Sequence, residues 1–321
     1  MYNFGGSKKK VKMTSQWKYG RGDRPSSNNK TLPRGQRATV RQDAALLSYL
    51  FDLLKDRSKS SVKSLLKHGR IWVNGNVKTH FDTPLHPGDE VLISHERAKT
   101  TFNNPYLRIV WEDESLIVVE KKDGLLSVSE SQAQERTAYA FLSRYVREQD
   151  PRNRIFVLHR LDRGTSGLMM FARNKGVQEK LRNDWSTMIT RRSYVAVVEG
   201  RPDPVQGRLV SYLAENSRMK VFCTDASRGK EAVMHYRVLQ SNNRYSLVEF
   251  ELETGRKNQI RAQMEEAGYP VAGDPKYGAM TDPAERLLLH AFRLSFIHPV
   301  TGREIAFETP IPSAFRALVK D

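Results

Sequence analysis

Cysteine is almost absent: Cys223 is the only one in 321 residues, which excludes an intramolecular disulfide and any cysteine-rich metal site. Apolar runs are short, and none approaches the length needed to span a bilayer. No secretory signal pattern opens the chain, and no repeat of solenoid length recurs in it. Acid is scarce too, with 36 Asp and Glu against 53 Lys and Arg and a net charge of +17. A surface of that sign gains affinity for phosphate backbones by releasing counterions, so the partner expected is nucleic acid. The reading is a cytoplasmic protein with no membrane association, a monomer by default. Its 39% hydrophobic residues suffice for the cores of two domains and a tail.

The positive charge is concentrated at one end. Residues 1–37 carry ten bases and a single acid, Asp23, giving +9 of the +17, with almost no aliphatic side chains. Such a segment cannot bury enough surface to fold alone, so residues 1–38 read as a disordered basic tail, either tracking RNA phosphates or merely solubilising. Residues 39–98 have a pattern of their own. Ala44, Leu47, Leu50, Phe51 and Leu54 recur at helical spacing, and a second helix runs from near Ser60 to a stop at Gly69. Ile71-Trp72-Val73 and Val77 then flank Asn74-Gly75, a hairpin signal because both central residues tolerate positive φ. This small α/β unit resembles an S4 RNA-binding domain. Lys59, Lys63 and Lys67 share one helical face with Arg70 just beyond, a row that would meet RNA phosphates or else form an ordinary solvated face.

Residues 99–105 lack apolar periodicity and read as a linker. Beyond them, in residues 106–321, strands are expected at 109–111, 116–120, 155–158, 168–171, 194–198, 233–239, 245–252 and 288–296, and helices at 137–147, 175–185 and 256–266. The order has no regular βαβ repeat, so the physical reading is an α+β domain with a mostly antiparallel central sheet.

Within that domain residues 159–167, His-Arg-Leu-Asp-Arg-Gly-Thr-Ser-Gly, set Asp162 in a glycine-punctuated turn between two short apolar runs. Arg160 and Arg163 would hold the carboxylate ionised, as a nucleophile or general base requires. A structural aspartate paired with a neighbouring arginine fits the local pattern equally well. The same segment, however, resembles the catalytic motif of the RluA-type pseudouridine synthases, His-Arg-Leu-Asp-x-x-Thr/Ser-Ser-Gly, at every fixed position. Further segments resemble that family in its own order across roughly residues 105–319: Arg192 to Gly200, Thr254 to Arg261, Gly273 to Gly278, Leu289-His290-Ala291 and Phe296 to Pro299.

The resemblance implies the pseudouridine synthase fold, with a cleft across the sheet, and an isomerisation that needs no cofactor or metal. The bond from C1′ of ribose to N1 of uracil breaks, the base turns, and it is rejoined through C5. By position, Asp162 is the catalytic carboxylate and Arg261 the basic residue that pairs with it, through a bidentate contact that would orient it. Tyr194 stacks on the flipped uracil and takes part in proton transfer from C5. Arg160 fills the place of the flipped base, His159 stands beside it among the substrate contacts, and Leu289 lines the base pocket, although a core leucine and a core tyrosine are the plain alternatives.

Two positions depart from the family pattern: Asn258 and Gln263 stand where it has histidine, keeping hydrogen-bonding capacity and losing titration. They leave a competing reading, an RNA-binding assembly factor with a degenerate pocket. A glycosylase or nuclease would want a second carboxylate near Asp162, and the loop has none. His159, His290 and His298 are too scattered for a metal and read as structural. The substrate expected is structured RNA, ribosomal first and transfer RNA second.

Overall fold

The computed structural model describes residues 34–95, 102–129 and 136–320, so 33 of the 38 tail positions and residues 99–101 of the linker lie outside the described residues. The chain divides into two compact units, Met1–Ala98 and Lys99–Asp321.

The first unit contains β1 (Gly35–Thr39), β2 (Ala44–Ala45), α1 (Leu46–Leu53), α2 (Lys59–Lys67), β3 (Ile71–Val73), β4 (Asn76–Val77), β5 (Pro84–Leu85) and β6 (Glu90–Ser94). Its sheet runs β1-β6-β3-β4, and Leu46, Leu50, Val62, Leu65 and Leu66 of the helices pack against Ile71 and Val91. Asn74 and Gly75 have φ of 50° and 75°, and the Asn74 side chain joins the hairpin to Asp89 and to the Glu90 amide, fixing the register. One boundary differs from expectation. Strand β1 begins inside the stretch assigned to the tail, because residues 35–39 pair along the whole of β6 and Arg37 meets Glu90 at 2.8 Å.

In the second unit, β7 (Leu107–Glu112), β8 (Leu116–Lys121), α3 (Ala138–Gln149), β9 (Phe156–Val157), β10 (Ser166–Ala172), α4 (Lys175–Asn183), α5 (Trp185–Met188) and β11 (Arg191–Glu199) come first. There follow β12 (Gln206–Glu215), β13 (Val221–Thr224), β14 (Lys230–Ser241), β15 (Tyr245–Leu252), α6 (Gln259–Glu266), β16 (Leu289–Ile297), β17 (Glu304–Glu308) and α7 (Ser313–Leu318). They build one 11-stranded sheet in the order β13-β12-β14-β15-β11-β16-β10-β8-β7, with β17 beside β16 and β9 beside β10. Among the described residues every pairing between these strands is antiparallel except β10 with β16. The mostly antiparallel α+β sheet is therefore as expected, although β12, β13, β17 and α7 were not anticipated.

Period-two alternation shows why the central strands read as unbroken apolar runs. Ile117, Val119, Met169 and Phe171 face a core with Leu142 and Val146 of α3, whereas Leu116, Val118, Leu168 and Met170 face one with Val177 and Leu181 of α4. Two helix predictions need correction. The helix expected over 175–185 divides at Asp184, and the one over 256–266 starts only at Gln259. Asn258 sits in the left-handed region at φ 51°, which a continuing right-handed helix cannot accommodate, so Arg256 lies outside α6.

Candidate active site

The loop carrying Asp162 connects β9 to β10, and the chain around it leaves little freedom. Leu161 is buried, and the Ser127 hydroxyl donates to its carbonyl at 2.6 Å and accepts from its amide at 3.0 Å. Gly124 N donates to the Arg163 carbonyl at 2.8 Å, and Arg163 Nε returns a bond to the Gly124 carbonyl. Beneath them Lys121, fully buried, aims its ammonium at the carbonyls of Lys122, Leu125 and Arg163 at 3.0, 2.8 and 3.3 Å. Burial lowers its pKa from 10.5 to about 8, against the opposing fields of Asp123 and Asp162. The loop ends at Ser166-Gly167, which form the parallel register with His290 and Ala291 of β16. Gly167 has φ 112°, and a Cβ there would fall 2.1 Å from the Ala291 carbonyl oxygen, so only glycine fits.

Asp162 is not bracketed by its sequence neighbours. Its Oδ2 accepts from Arg261 Nη1 of α6 at 3.2 Å, while its Oδ1 has no hydrogen bond among the described residues. Arg163 is spent on the loop, and Arg160, exposed at the cavity rim, has no ion pair among the described residues. The expected bidentate pair between Arg261 and Asp162 is corrected as well. The fork of the guanidinium closes on Asp274, with Nε to Oδ2 at 2.6 Å and Nη2 to Oδ1 at 2.8 Å. Side-chain exposure is 28% for Asp162, 13% for Arg261 and 2% for Asp274, so the shared cation lies between an accessible carboxylate and a buried one. The Tyr277 ring lies 4.5 Å below the guanidinium, and Asn258 bridges the Tyr277 hydroxyl at 2.8 Å and Arg261 Nη1 at 3.3 Å.

Tyr194 stands on β11 at a register shift against β16 and packs between two core clusters. Burial raises its hydroxyl pKa; Arg192 opposes that and Asp162 adds to it. Leu289 is buried on β16 and faces the same cavity. His159 accepts from Met170 N through Nε2 and lies against Trp185 at 5.7 Å. Burial, helped by Arg192, lowers its pKa to about 3, so it is neutral. A cavity of about 500 Å³ joins these groups, lined by Asp162, Tyr194, Leu289, Arg261 and His159 and rimmed by Arg160, Arg192, Arg256 and Lys257. That volume is in the range of small-ligand sites, and its rim is basic.

His290 and His298 lie apart from this cavity, the first between Ser166 and Thr309 hydroxyls and the second 2.9 Å from Asp113. Lys59, Lys63 and Lys67 are exposed along α2 of the first unit and Arg70 is half-buried beyond them. Asp274, Lys121 and Trp185 received no role from the sequence. Asp274 lies inside the Gly273 to Gly278 segment, but its partner is thirteen residues away and on another element, which no local window shows.

A family model described as RNA pseudouridylate synthase matches residues 115–266, and an S4 domain model matches residues 46–91. The uncharacterized RNA pseudouridine synthase YlyB of Bacillus subtilis is 33% identical over 281 residues, 85% of this chain and 92% of that protein. Ribosomal large subunit pseudouridine synthase D of Neisseria meningitidis serogroup B is 33% identical over 282 residues, 82% of this chain and 75% of that one. Among solved structures, human RNA Pseudouridylate Synthase Domain Containing 4 shares the fold at a TM-score of 0.53 and 21% identity, covering 65% of this chain and 90% of that one.

Proposed function

The chain belongs to the RNA pseudouridine synthases, and on that footing we propose that it isomerises selected uridines of ribosomal RNA, of the large subunit first, with Asp162 as the reacting carboxylate. The observation that carries this is a single accessible carboxylate at the cavity wall, oriented through one oxygen by Arg261 and open at the other. The open oxygen can approach C1′ or take a proton; the held one keeps the group aimed.

A uridine stacked in a helix cannot reach that oxygen, so the base must leave the stack. Arg160, exposed and unpaired among the described residues, is free to insert a planar cation where the base was. In the cavity Tyr194 and Leu289 supply the apolar walls against which a detached uracil can turn without escaping. A Tyr194 hydroxyl kept protonated by burial serves as a relay, taking the proton that C5 loses as it passes its own to N1, which the broken C1′–N1 bond leaves anionic. His159 is neutral and shapes the wall beside Trp185. Lys59, Lys63, Lys67 and Arg70 form the phosphate-facing row of the S4 domain, and the basic tail adds charge in the same sense. No helix of the described residues is long and apolar enough to cross a membrane, and we place the protein in the cytoplasm as a monomer acting on RNA.

The assembly-factor alternative rested on Asn258 and Gln263, and both side chains are engaged in hydrogen bonds that support α6. The deciding experiment is tritium release from RNA labelled at C5 of uridine, prepared from cells lacking the enzyme. The intact protein releases tritium and Asp162→Asn binds RNA without releasing it. Normal turnover by Asp162→Asn refutes the assignment of that carboxylate, and tight binding with no release by either protein restores the assembly factor.

A further inference from the structure

Arg261 is held far more firmly than a contact with Asp162 would require. Two of its nitrogens close on Asp274, its plane rests on Tyr277 and Asn258 shares Nη1, so a single N–H at 3.2 Å is what remains for Asp162. Asp274 itself cannot shift. Its carbonyl accepts from the amides of Tyr277 and Ala279, and Gly273 before it has φ 76° with the Arg286 carbonyl oxygen 2.0 Å from where a Cβ would lie.

The charges explain why this arrangement matters. One guanidinium faces two carboxylates, and a planar fork prefers to close on one of them with both arms. Because Asp274 takes the fork, Asp162 is oriented through Oδ2 while Oδ1 stays open. Without Asp274 the fork is free to rotate onto Asp162 and occupy both oxygens, which pulls electron density away from the atom that must react.

We infer that Asp274 is a positioning residue for the isomerisation: it holds Arg261 so that the guanidinium steers Asp162 without capping it. The inference rests on Asp162 being the reacting carboxylate. The competing possibility is that Asp274 is only a counter-ion that lets an arginine be buried.

Four full-length proteins separate these roles: wild type, Asp274→Asn, Arg261→Met and the double variant, each assayed for kcat and KM by tritium release with unfolding temperature read in parallel. Misplacing a reacting group by about 1 Å costs on the order of 100-fold, so Asp274→Asn is expected to lose about 100-fold in kcat with KM changed by less than about threefold. Since Asp274 acts through Arg261, the double variant should match Arg261→Met in kcat within about threefold. Asp274→Asn with wild-type kcat overturns the inference, as does a double variant whose loss is the product of the two single losses. A change confined to KM and unfolding temperature does the same by assigning the counter-ion role. If Asp274→Asn does not fold, the double variant, which buries no charge at either position, is compared with Arg261→Met alone under the same criterion. A wild type that releases no tritium removes the reading of Asp162 and this inference with it; an active wild type beside an unaffected Asp274→Asn removes this inference only.

Discussion

Lys121 offers a stability measurement whose size follows from its surroundings. It is fully buried, bonded to three backbone carbonyls, and its pKa falls from 10.5 to about 8 because burial penalises the charged form. A base whose folded pKa is depressed loses its proton from the folded chain first. Between about pH 8 and 10.5 the unfolded chain holds a proton that the folded chain has released, so folding stability rises with pH across that window. At 1.36 kcal/mol per unit the full effect is about 3 kcal/mol, and about 2 kcal/mol of it has accumulated between pH 7 and about pH 9.5. Lys121→Met has nothing to titrate there, so wild type should gain about 2 kcal/mol on the variant over that interval. Urea unfolding followed at Trp111 and Trp185, with Trp17 and Trp72 changed to Phe, reports the catalytic unit, and the variant cancels every other titration. A stability difference that stays constant within about 0.5 kcal/mol would show that the lysine carries no desolvation penalty, and the account of its burial would be wrong.

Two further outcomes are expected. Gly167→Ala forces a Cβ to within 2.1 Å of the Ala291 carbonyl at φ 112°, so it should cost about 3 kcal/mol or more in urea and reduce tritium release, and an unchanged midpoint would remove the reason given for that glycine. Changing Lys59, Lys63 and Lys67 together to Gln should weaken RNA binding and flatten the slope of log K against log salt by about 2, whereas an unchanged slope would make α2 an ordinary solvated face.

What was legible in the sequence was what local physics decides. Asn74-Gly75 announced its hairpin because few residue pairs take two successive positive φ values, and residues 168–171 announced a buried strand because both faces of β10 are covered. Strands β12 and β13 escaped notice; β13 is the edge strand of the sheet and β12 its neighbour. Strand β12 alternates exposed with half-buried over residues 206–211, but Leu209 stands beside Val210 and Tyr212 beside Leu213, so the apolar residues themselves show no period of two. The site shows the same division. The motif located Asp162, but its nearest arginines in sequence were the wrong partners. Arg261, 99 residues away, reaches it through the fold, and only the resemblance pointed there. Helix α6 was drawn three residues too long because amphipathic spacing cannot show that Asn258 takes the left-handed conformation before it.

Asn258 and Gln263 also show how a departure from a family pattern can be absorbed. Asn258 donates to the Tyr277 hydroxyl and accepts from Arg261, using both ends of one amide to tie the guanidinium to the ring beneath it. A histidine at that position would change charge with pH, whereas an amide does not, so the part of Arg261's support that Asn258 supplies does not titrate. Gln263 turns toward the sheet, donating to the Ser211 hydroxyl at 2.9 Å and the Ala232 carbonyl at 3.2 Å, and it does not line the cavity. It anchors α6 to β12 and β14. Both departures therefore act on the support of Arg261, Asn258 from beside the cation, where it also lines the cavity, and Gln263 from the sheet.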